Sequence, residues 1–158
     1  ELLAALSDLK HVSIFISMPN ADTNFNKFSE EIEKFVIENS DCRWSFHSLG
    51  HEVYFSLLQF VDAVVGNSSS GLLEAPSFNI ATINIGDRQK GRIKGKSVID
   101  VKPCQSLIHT TLEDLFEGKF KEIIDTSANP FYKNGTAGEI ARIFIESNKM
   151  GALKAFYD

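Results

Sequence analysis

Apolar positions along the chain alternate between the spacing of helices and the spacing of strands. Four leucines between positions 2 and 9 repeat at helical intervals, which predicts an amphipathic helix over residues 1–10. Residues 11–18 are rich in β-branched and aromatic side chains, and they predict a strand that ends at Pro19. From position 25 to position 36 the apolar residues again fall on one helical face, which predicts an outer helix lying on a sheet.

The same criteria extend the pattern to the end of the chain. The segment 62–66 is short and almost wholly apolar, so we expect it to be a central strand of the sheet. Pro103 is expected to occupy the first position of a helix, and Thr136 with Glu139 predicts a capping box at the start of the last one. Strands are predicted at 43–48, 62–66, 80–85 and 97–101, and helices at 51–60, at 103–116 and from 136 onward.

Strand and helix therefore alternate with short connections throughout. This order predicts an α/β fold, a Rossmann-like parallel sheet with helices on both faces. The length of 158 residues fits one domain, residues 1–158, with a single core. The chain opens on a helix with no strand before it, which is weak evidence that the fold continues in a longer protein.

Charge and composition exclude several classes of protein. The chain has 16 Lys and Arg against 21 Asp and Glu, a net charge of −5, and no basic stripe that would indicate a nucleic-acid partner. No apolar run approaches the roughly 18 residues that span a bilayer, so we expect no membrane partner. Cys42 and Cys104 show no metal spacing and are expected to be reduced thiols of a cytoplasmic protein.

The loops at the carboxyl ends of the strands are where an open α/β sheet binds ligands. The most informative one follows the strand 62–66 and includes Ser68, Ser69 and Ser70. Small hydroxyl residues at a helix start leave backbone N–H groups open to a phosphate, although the same serines could simply cap the helix. The loop contains neither a GxGxxG nor a Walker pattern, so dinucleotide and P-loop chemistry are not supported.

Two further features lie near this loop. Glu74 falls about one turn into the predicted helix, where the helix dipole alone could explain it, or where it could accept hydrogen bonds from a ribose diol. Arg88, Lys90 and Arg92 follow the strand 80–85, and this cationic group could face a polyphosphate or simply be solvated.

Catalytic machinery is not evident in the sequence. The four histidines show no metal-ligand spacing, with His11 and His47 predicted in strands, and Ser69 lacks the frame of a nucleophile elbow. The residues therefore predict a domain that holds a ligand, with no catalytic residue, no metal and no cofactor assigned to it.

Several segments resemble one enzyme family. GNSSSGLLEAP at 66–76 and INIGDRQKGR at 83–92 resemble the UDP-N-acetylglucosamine 2-epimerases, above all their hydrolysing branch. MPNAD at 18–22 resembles the loop after that branch's first strand. NPFYKNG at 129–135 resembles the family's Asn-Pro-Tyr-Gly-Asp-Gly segment, from which it departs at positions 131–134.

The resemblance implies a two-domain fold shared with nucleotide-sugar glycosyltransferases (GT-B), of which this chain is the C-terminal half. It implies that UDP and a UDP-sugar are the ligands, and that the N-terminal half, absent from this chain, is a partner domain. The implied roles are diphosphate binding by Ser68 and Ser69, with Arg88 on the phosphate side, ribose binding by Glu74, and uracil binding by Tyr54 and Leu49. Ser70 is also assigned to the UDP site.

By this resemblance the full-length enzyme releases N-acetylmannosamine and UDP for the synthesis of sialic acid type sugars. Its acid and base carboxylates belong to the missing half, so we expect this chain alone to be inactive and the full-length protein to be a homo-oligomer. Three alternatives remain open: a non-hydrolysing epimerase, a hydrolysing epimerase of a diacetamido UDP-sugar, and a nucleotide-binding module without catalysis.

Overall fold

Parallel strands and helices alternate along the whole of the chain that the computed structural model describes, residues 1–18 and 25–146. Within these ranges the elements follow in this order: α1 Leu2–Ser7, β1 Ile14–Ser17, α2 Phe25–Ile37, β2 Arg43–Phe46, α3 Gly50–Leu57, β3 Ala63–Gly66, α4 Ser70–Leu73, a 3₁₀ turn Ala75–Phe78, β4 Ala81–Ile85, β5 Val98–Val101, α5 Gln105–Phe116, α6 Lys121–Asp125 and α7 Thr136–Glu146. The loop predicted after the first strand, 19–23, lies outside the described residues.

Every strand pairing in the described structure is parallel. β1 pairs with β2, and β3, β4 and β5 form a second sheet with β4 in the middle. The register places Gly66 opposite Asn84 and Asn84 opposite Asp100. Because parallel strands end at a common edge, the loops after β3 and β4 emerge side by side.

Helices cover both faces of the sheets, as the sequence predicts. Successive side chains of a strand point to opposite faces, and on β3 Val65 packs into one cluster while Val64 packs into another. The larger cluster joins both sheets to α1, α2 and α5, with Ile83 and Ile108 fully buried in it. The smaller cluster lies on the other face, where α3 and the 3₁₀ turn pack around Leu58. This confirms the α/β Rossmann-like class.

The prediction that segment 62–66 is a central strand is wrong for its sheet. β3 is at one edge of the three-stranded sheet, and β4 is the strand with a partner on each side. The apolar character of β3 comes from packing on both of its faces, through Val64 and Val65, and does not require hydrogen bonding along both of its edges.

Several element ends differ from the predicted ones. His11 has φ 59°, a left-handed conformation that keeps it out of β1, and His47 likewise follows the end of β2. α5 begins at Gln105 with Cys104 as its N-cap, so Pro103 precedes the helix.

The predicted capping box of α7 does not form. The Thr136 hydroxyl donates to the Lys133 carbonyl at 2.6 Å, and the Glu139 carboxylate pairs with the Lys133 ammonium at 2.5 Å. The first turn of α7 is therefore held by Lys133. Among the residues whose placement is described, no helix is both long enough and apolar enough to cross a membrane.

Gly71 lets α4 approach β4 closely. The Gly71 carbonyl accepts a hydrogen bond of 2.7 Å from the hydroxyl of buried Thr82, and a Cβ at position 71 would lie 2.5 Å from Thr82 Cγ2. Thr82 is a stiff β-branched residue in the middle strand, so it cannot easily move away. The absence of a side chain at Gly71 thus sets the distance between the serine loop and the sheet.

We expect Gly71→Ala to lower the free energy of unfolding by roughly 1–3 kcal/mol, because the added methyl overpacks this contact. Thr82→Ser removes Cγ2 and keeps the hydroxyl, so the same alanine should cost less in that background. Gly138→Ala is the control, since a Cβ there meets nothing within 4 Å. Urea unfolding of the wild type and the four variants checks this, and an equal cost of Gly71→Ala in both backgrounds would contradict this packing account.

Candidate functional site

The loops after β3 and β4 are tied together at one backbone carbonyl. The Asn67 carbonyl accepts a hydrogen bond of 2.7 Å from the Gln89 side-chain amide and one of 3.4 Å from the Arg88 guanidinium. Both donors belong to the loop after β4, whereas Asn67 directly follows β3. The structure therefore brings Arg88 next to the serine loop, as the resemblance implies.

Gln89 is a site residue that sequence reasoning missed. Its side chain is 4% exposed, and its Oε1 is buried without a hydrogen-bond partner among the described residues. A buried side chain between two exposed cations could not be inferred from the cationic pattern of the loop, which left open a solvated segment or a group facing a polyphosphate. Gln89 fixes the loop from inside, while Arg88 on the exposed side stays available to a ligand.

The helix that follows the serine loop ends at Glu74, which the sequence places about one turn into it. α4 spans four residues, Ser70–Leu73, and then changes to a 3₁₀ turn. Pro76 explains the break, because it has no N–H to donate to the Leu72 carbonyl in an α-helix. A single helical turn has a small dipole, so the expected contribution of a helix N-terminus to anion binding is not supported by this structure.

The serine loop nevertheless exposes donors. The backbone N–H groups of Ser68 and Ser69 donate to no acceptor within the described part of the chain, whereas the Ser70 N–H donates to the Ser68 hydroxyl at 3.3 Å. Ser69 is the N-cap of α4, yet its side chain makes no capping bond. Helix capping thus accounts for Ser68 and leaves the Ser69 hydroxyl without a structural role.

Glu74 lies at the other end of α4 from the one that the sequence indicates. It is the C-cap of that helix and precedes the 3₁₀ turn, with its side chain partly buried. A carboxylate at a helix C-terminus is not stabilised by the helix dipole. The helix dipole therefore does not explain Glu74, and its ribose-binding role stays a prediction.

Tyr54 connects α3 to this group. Its hydroxyl forms a short hydrogen bond with the hydroxyl of Ser70, and its ring is partly buried in the smaller apolar cluster. Burial raises the pKa of the Tyr54 phenol above its ordinary value, and the nearby Glu74 carboxylate raises it further, against the opposing effect of the Ser70 bond. Tyr54, Ser70 and Glu74 are thus neighbours, although they come from two separate segments.

Aromatic packing holds α3 in place against the 3₁₀ turn. Phe55 meets Phe78 edge to face with ring centroids 5.6 Å apart, and His51 packs on Phe55 at 4.0 Å. Leu49 is the partly buried N-cap of α3. It precedes Tyr54 by five residues, which is about 7 Å along the axis. Leu49 therefore lies at the N-terminal end of α3, shortly after the end of β2. In the described ranges no hydrogen bond links Leu49 to the serine loop.

The candidate site does not coincide with either of two surface cavities of the described structure. These cavities, of about 440 and 580 Å³, are lined by other residues, around Cys104 and around His11. No group of three or more His, Cys, Asp or Glu residues that could hold a metal ion occurs in the described structure. What the arrangement offers is N–H and hydroxyl donors, one guanidinium, one carboxylate and one aromatic ring, which are groups for binding a phosphorylated polyol.

Burial raises the pKa of Tyr54 in the folded protein above its value near 10 in the unfolded chain, so the folded protein binds this proton more tightly. The contribution of protonated Tyr54 to the free energy of unfolding is therefore present below about pH 10 and is lost as the pH rises through the folded pKa. We expect the free energy of unfolding to fall more steeply above pH 10 in the wild type than in Tyr54→Phe. Tyr132→Phe, at an exposed position, controls for the loss of a phenol. Parallel curves for the wild type and Tyr54→Phe would contradict the burial argument.

Comparison with known proteins gives a consistent result. The profile of the family described as UDP-N-acetylglucosamine 2-epimerase matches residues 1–145. The chain is 39% identical to the Polysialic acid biosynthesis protein P7 of Escherichia coli, over 100% of this chain and 41% of that protein. It is 41% identical to a GDP/UDP-N,N'-diacetylbacillosamine 2-epimerase (hydrolyzing) of Campylobacter jejuni, over 63% of this chain and 26% of that protein.

A UDP-N-acetylglucosamine 2-epimerase of Neisseria meningitidis is 37% identical over 60% of this chain and 23% of its own length. The chain thus spans less than half the length of each of these relatives. The profile match covers most of the chain, including the two strand-end loops that form the candidate site. This chain belongs to the UDP-N-acetylglucosamine 2-epimerase family.

Proposed function

We propose that this chain is the UDP-binding C-terminal domain of a hydrolysing UDP-N-acetylglucosamine 2-epimerase. The observation that carries the proposal is the meeting of three segments at the carboxyl edge of the parallel strands. The serine loop, the Arg88 loop and α3 together supply unpaired N–H groups, a guanidinium, a carboxylate and an aromatic ring. These are the groups that a nucleoside diphosphate requires, and that edge is where open α/β sheets bind ligands.

The phosphate side of the proposed site is the serine loop with Arg88. The free N–H groups of Ser68 and Ser69 and the Ser69 hydroxyl would donate to the diphosphate, and Arg88 would add a charge-assisted hydrogen bond. Gln89 would keep Arg88 close to the serine loop, because its hydrogen bond to the Asn67 carbonyl joins the loops after β3 and β4.

The nucleoside side is the group around Glu74. The Glu74 carboxylate would accept hydrogen bonds from the ribose hydroxyls, and Tyr54 would stack on uracil while Leu49 offers backbone groups to its edge. Ser70 contributes through Tyr54, since the bond between their hydroxyls holds the ring in place. A neutral phenol suits this role beside the Glu74 carboxylate, and burial shifts the pKa of Tyr54 further from physiological pH.

In the proposed reaction a base removes the proton at sugar C2, and UDP then leaves by anti elimination to give a glycal. Water adds to the glycal with the opposite configuration at C2. This domain would hold the leaving group, and it accelerates the reaction only as far as it binds the developing diphosphate charge more tightly than it binds the substrate. The acid and base groups would come from an N-terminal half in a GT-B arrangement, in a cytoplasmic enzyme.

A second candidate function is the hydrolysing epimerisation of a diacetamido UDP-sugar. The observation that favours it is the identity of 41% and 36% to proteins named as hydrolyzing diacetylbacillosamine 2-epimerases, from Campylobacter jejuni and Legionella pneumophila. The residues assigned to the proposed site would contact only the nucleotide, so they are equally suited to both sugars. Turnover of the two UDP-sugars by the full-length protein, measured as release of UDP, separates the two candidates.

We expect the chain to bind UDP in preference to CMP, with a dissociation constant between micromolar and millimolar, about −4 to −8 kcal/mol. The reason is that Tyr54 and Leu49 would contact the uracil, whereas a single phosphate engages fewer donors of the serine loop. A chemical-shift titration with UDP, UMP, CDP and CMP separates base selectivity from phosphate number. Equal affinities for UDP and CDP would contradict the assignment of Tyr54 and Leu49 to uracil binding.

Glu74→Gln and Ser69→Ala should change the ligand profile in different ways. Losing the carboxylate should weaken UDP and uridine alike, by about tenfold or more, since a hydrogen bond to a charged group contributes roughly 1.5–3 kcal/mol. Losing the Ser69 hydroxyl should weaken UDP and leave uridine unchanged. Glu38→Gln, an exposed carboxylate next to α2, controls for the charge. The same profile in both variants would show that the assigned division of roles is wrong.

A further inference from the structure

The break in the helix at Glu74 leaves a backbone carbonyl without its usual partner. In a continuous α-helix the Leu73 carbonyl would accept the N–H of Ser77, four residues on. Here the Ser77 N–H donates instead to the Glu74 carbonyl at 2.9 Å, because the chain has changed to a 3₁₀ turn. An orphaned carbonyl at a helix end needs a donor from elsewhere.

The donor comes from a residue 56 positions further along the chain. The Asn129 side-chain amide donates to the Leu73 carbonyl at 2.8 Å and to the Ser77 hydroxyl at 2.6 Å. Its own Oδ1 accepts the Phe131 N–H at 2.9 Å, which fixes the orientation of the amide. Asn129 therefore holds the chain on both sides of Glu74.

The segment that presents Asn129 is itself fixed against the sheet. Ser127 accepts a hydrogen bond of 3.0 Å from the N–H of buried Ser97, directly before β5. A Cβ on Gly95 would lie 3.2 Å from both the Ala128 carbonyl and the Ser127 hydroxyl, so the two segments are in close contact. Asn129 thus links the β4–β5 connection to the backbone on both sides of Glu74.

We propose that Asn129 is the positioning residue for Glu74. It does not touch the nucleotide. It sets the direction of the Leu73–Glu74 peptide and, through it, the place of the carboxylate beside Tyr54. The proposal rests on the proposed ribose-binding role of Glu74, and it adds a determinant of nucleoside affinity that lies outside the nucleotide-binding loops.

Asn129→Asp is the sharpest test, because aspartate has the same shape and can still accept the Phe131 N–H. It loses both donor bonds and directs a carboxylate oxygen at the Leu73 carbonyl. We expect uridine affinity to fall by about tenfold, as in Glu74→Gln, and pyrophosphate affinity to stay within about twofold. Asn134→Asp, an exposed asparagine in the same segment, is the matched control for the charge change.

The double variant Asn129→Asp/Glu74→Gln separates positioning from a general structural role. If Asn129 acts through Glu74, the double variant binds uridine no more weakly than Glu74→Gln alone. A purely structural role would instead lower uridine and pyrophosphate affinity together, or add to the effect of Glu74→Gln, and either result overturns the proposal. Titrations followed by amide chemical shifts give both affinities and report directly on the Glu74 N–H.

Different results overturn the positioning role of Asn129 and the ribose-binding role of Glu74. Unchanged uridine affinity in Asn129→Asp together with a loss in Glu74→Gln overturns the positioning role and leaves the ribose assignment intact. Unchanged affinity in Glu74→Gln overturns the ribose assignment and the positioning role with it. If Asn129→Asp does not fold, Ser77→Ala decides: it removes one of the two acceptors, and a loss confined to uridine supports the proposal while any other profile overturns it.

Discussion

The contact between Gly71 and Thr82 is the constraint on which the candidate site depends. It brings the backbone of α4 against the middle strand, closer than any residue with a side chain would allow. The serine loop and Glu74 lie at the two ends of this single helical turn. Because both ends are set by one contact, the proposed phosphate and ribose groups keep a fixed separation, and such fixed geometry is what electrostatic preorganisation requires.

The loops around the candidate site are also held by side chains that donate to backbone carbonyls. These carbonyls have no partner in regular secondary structure. The Asn67 carbonyl is satisfied by Gln89 and Arg88, and the Leu73 carbonyl by Asn129. Each of these bonds joins segments far apart in sequence. A backbone that departs from regular structure must find hydrogen-bond partners elsewhere, and here those partners come from the loops that surround the site.

The sequence predicts the alternation of strands and helices well, because the spacing of apolar residues follows their burial. Val65 and Ile83 pack into one apolar cluster and Val64 into the other, as apolar positions of strands should. It predicts ends and edges poorly. The left-handed conformation of His11 and the length of α4 depend on local backbone geometry, and the edge position of β3 depends on long-range pairing. The periodicity of apolar residues contains no information on either.

The site residues also divide into those that the sequence predicts and those that it does not. Ser68, Ser69, Glu74 and Arg88 could be selected from residue type and from family resemblance, and the structure places them at one sheet edge. The supporting residues could not. Gln89 has no charge and no pattern that singles it out within the cationic loop, and Asn129 is 56 residues from the carbonyl that it satisfies. Their roles arise only from folding, so residue type gives no signal for them.

On the proposed function, the exposure of the site residues accounts for a domain that would bind a nucleotide without transforming it. Arg88 and Ser68 are exposed and Ser69 is partly so, and at such positions water screens each charge-assisted bond. Closing a second domain over this edge would exclude that water and strengthen every one of these interactions. The same donors would then discriminate between a bound sugar nucleotide and a departing diphosphate, which an open surface does only weakly. The fixed spacing set by Gly71 is useful because closure then requires no rearrangement of the groups that receive the charge.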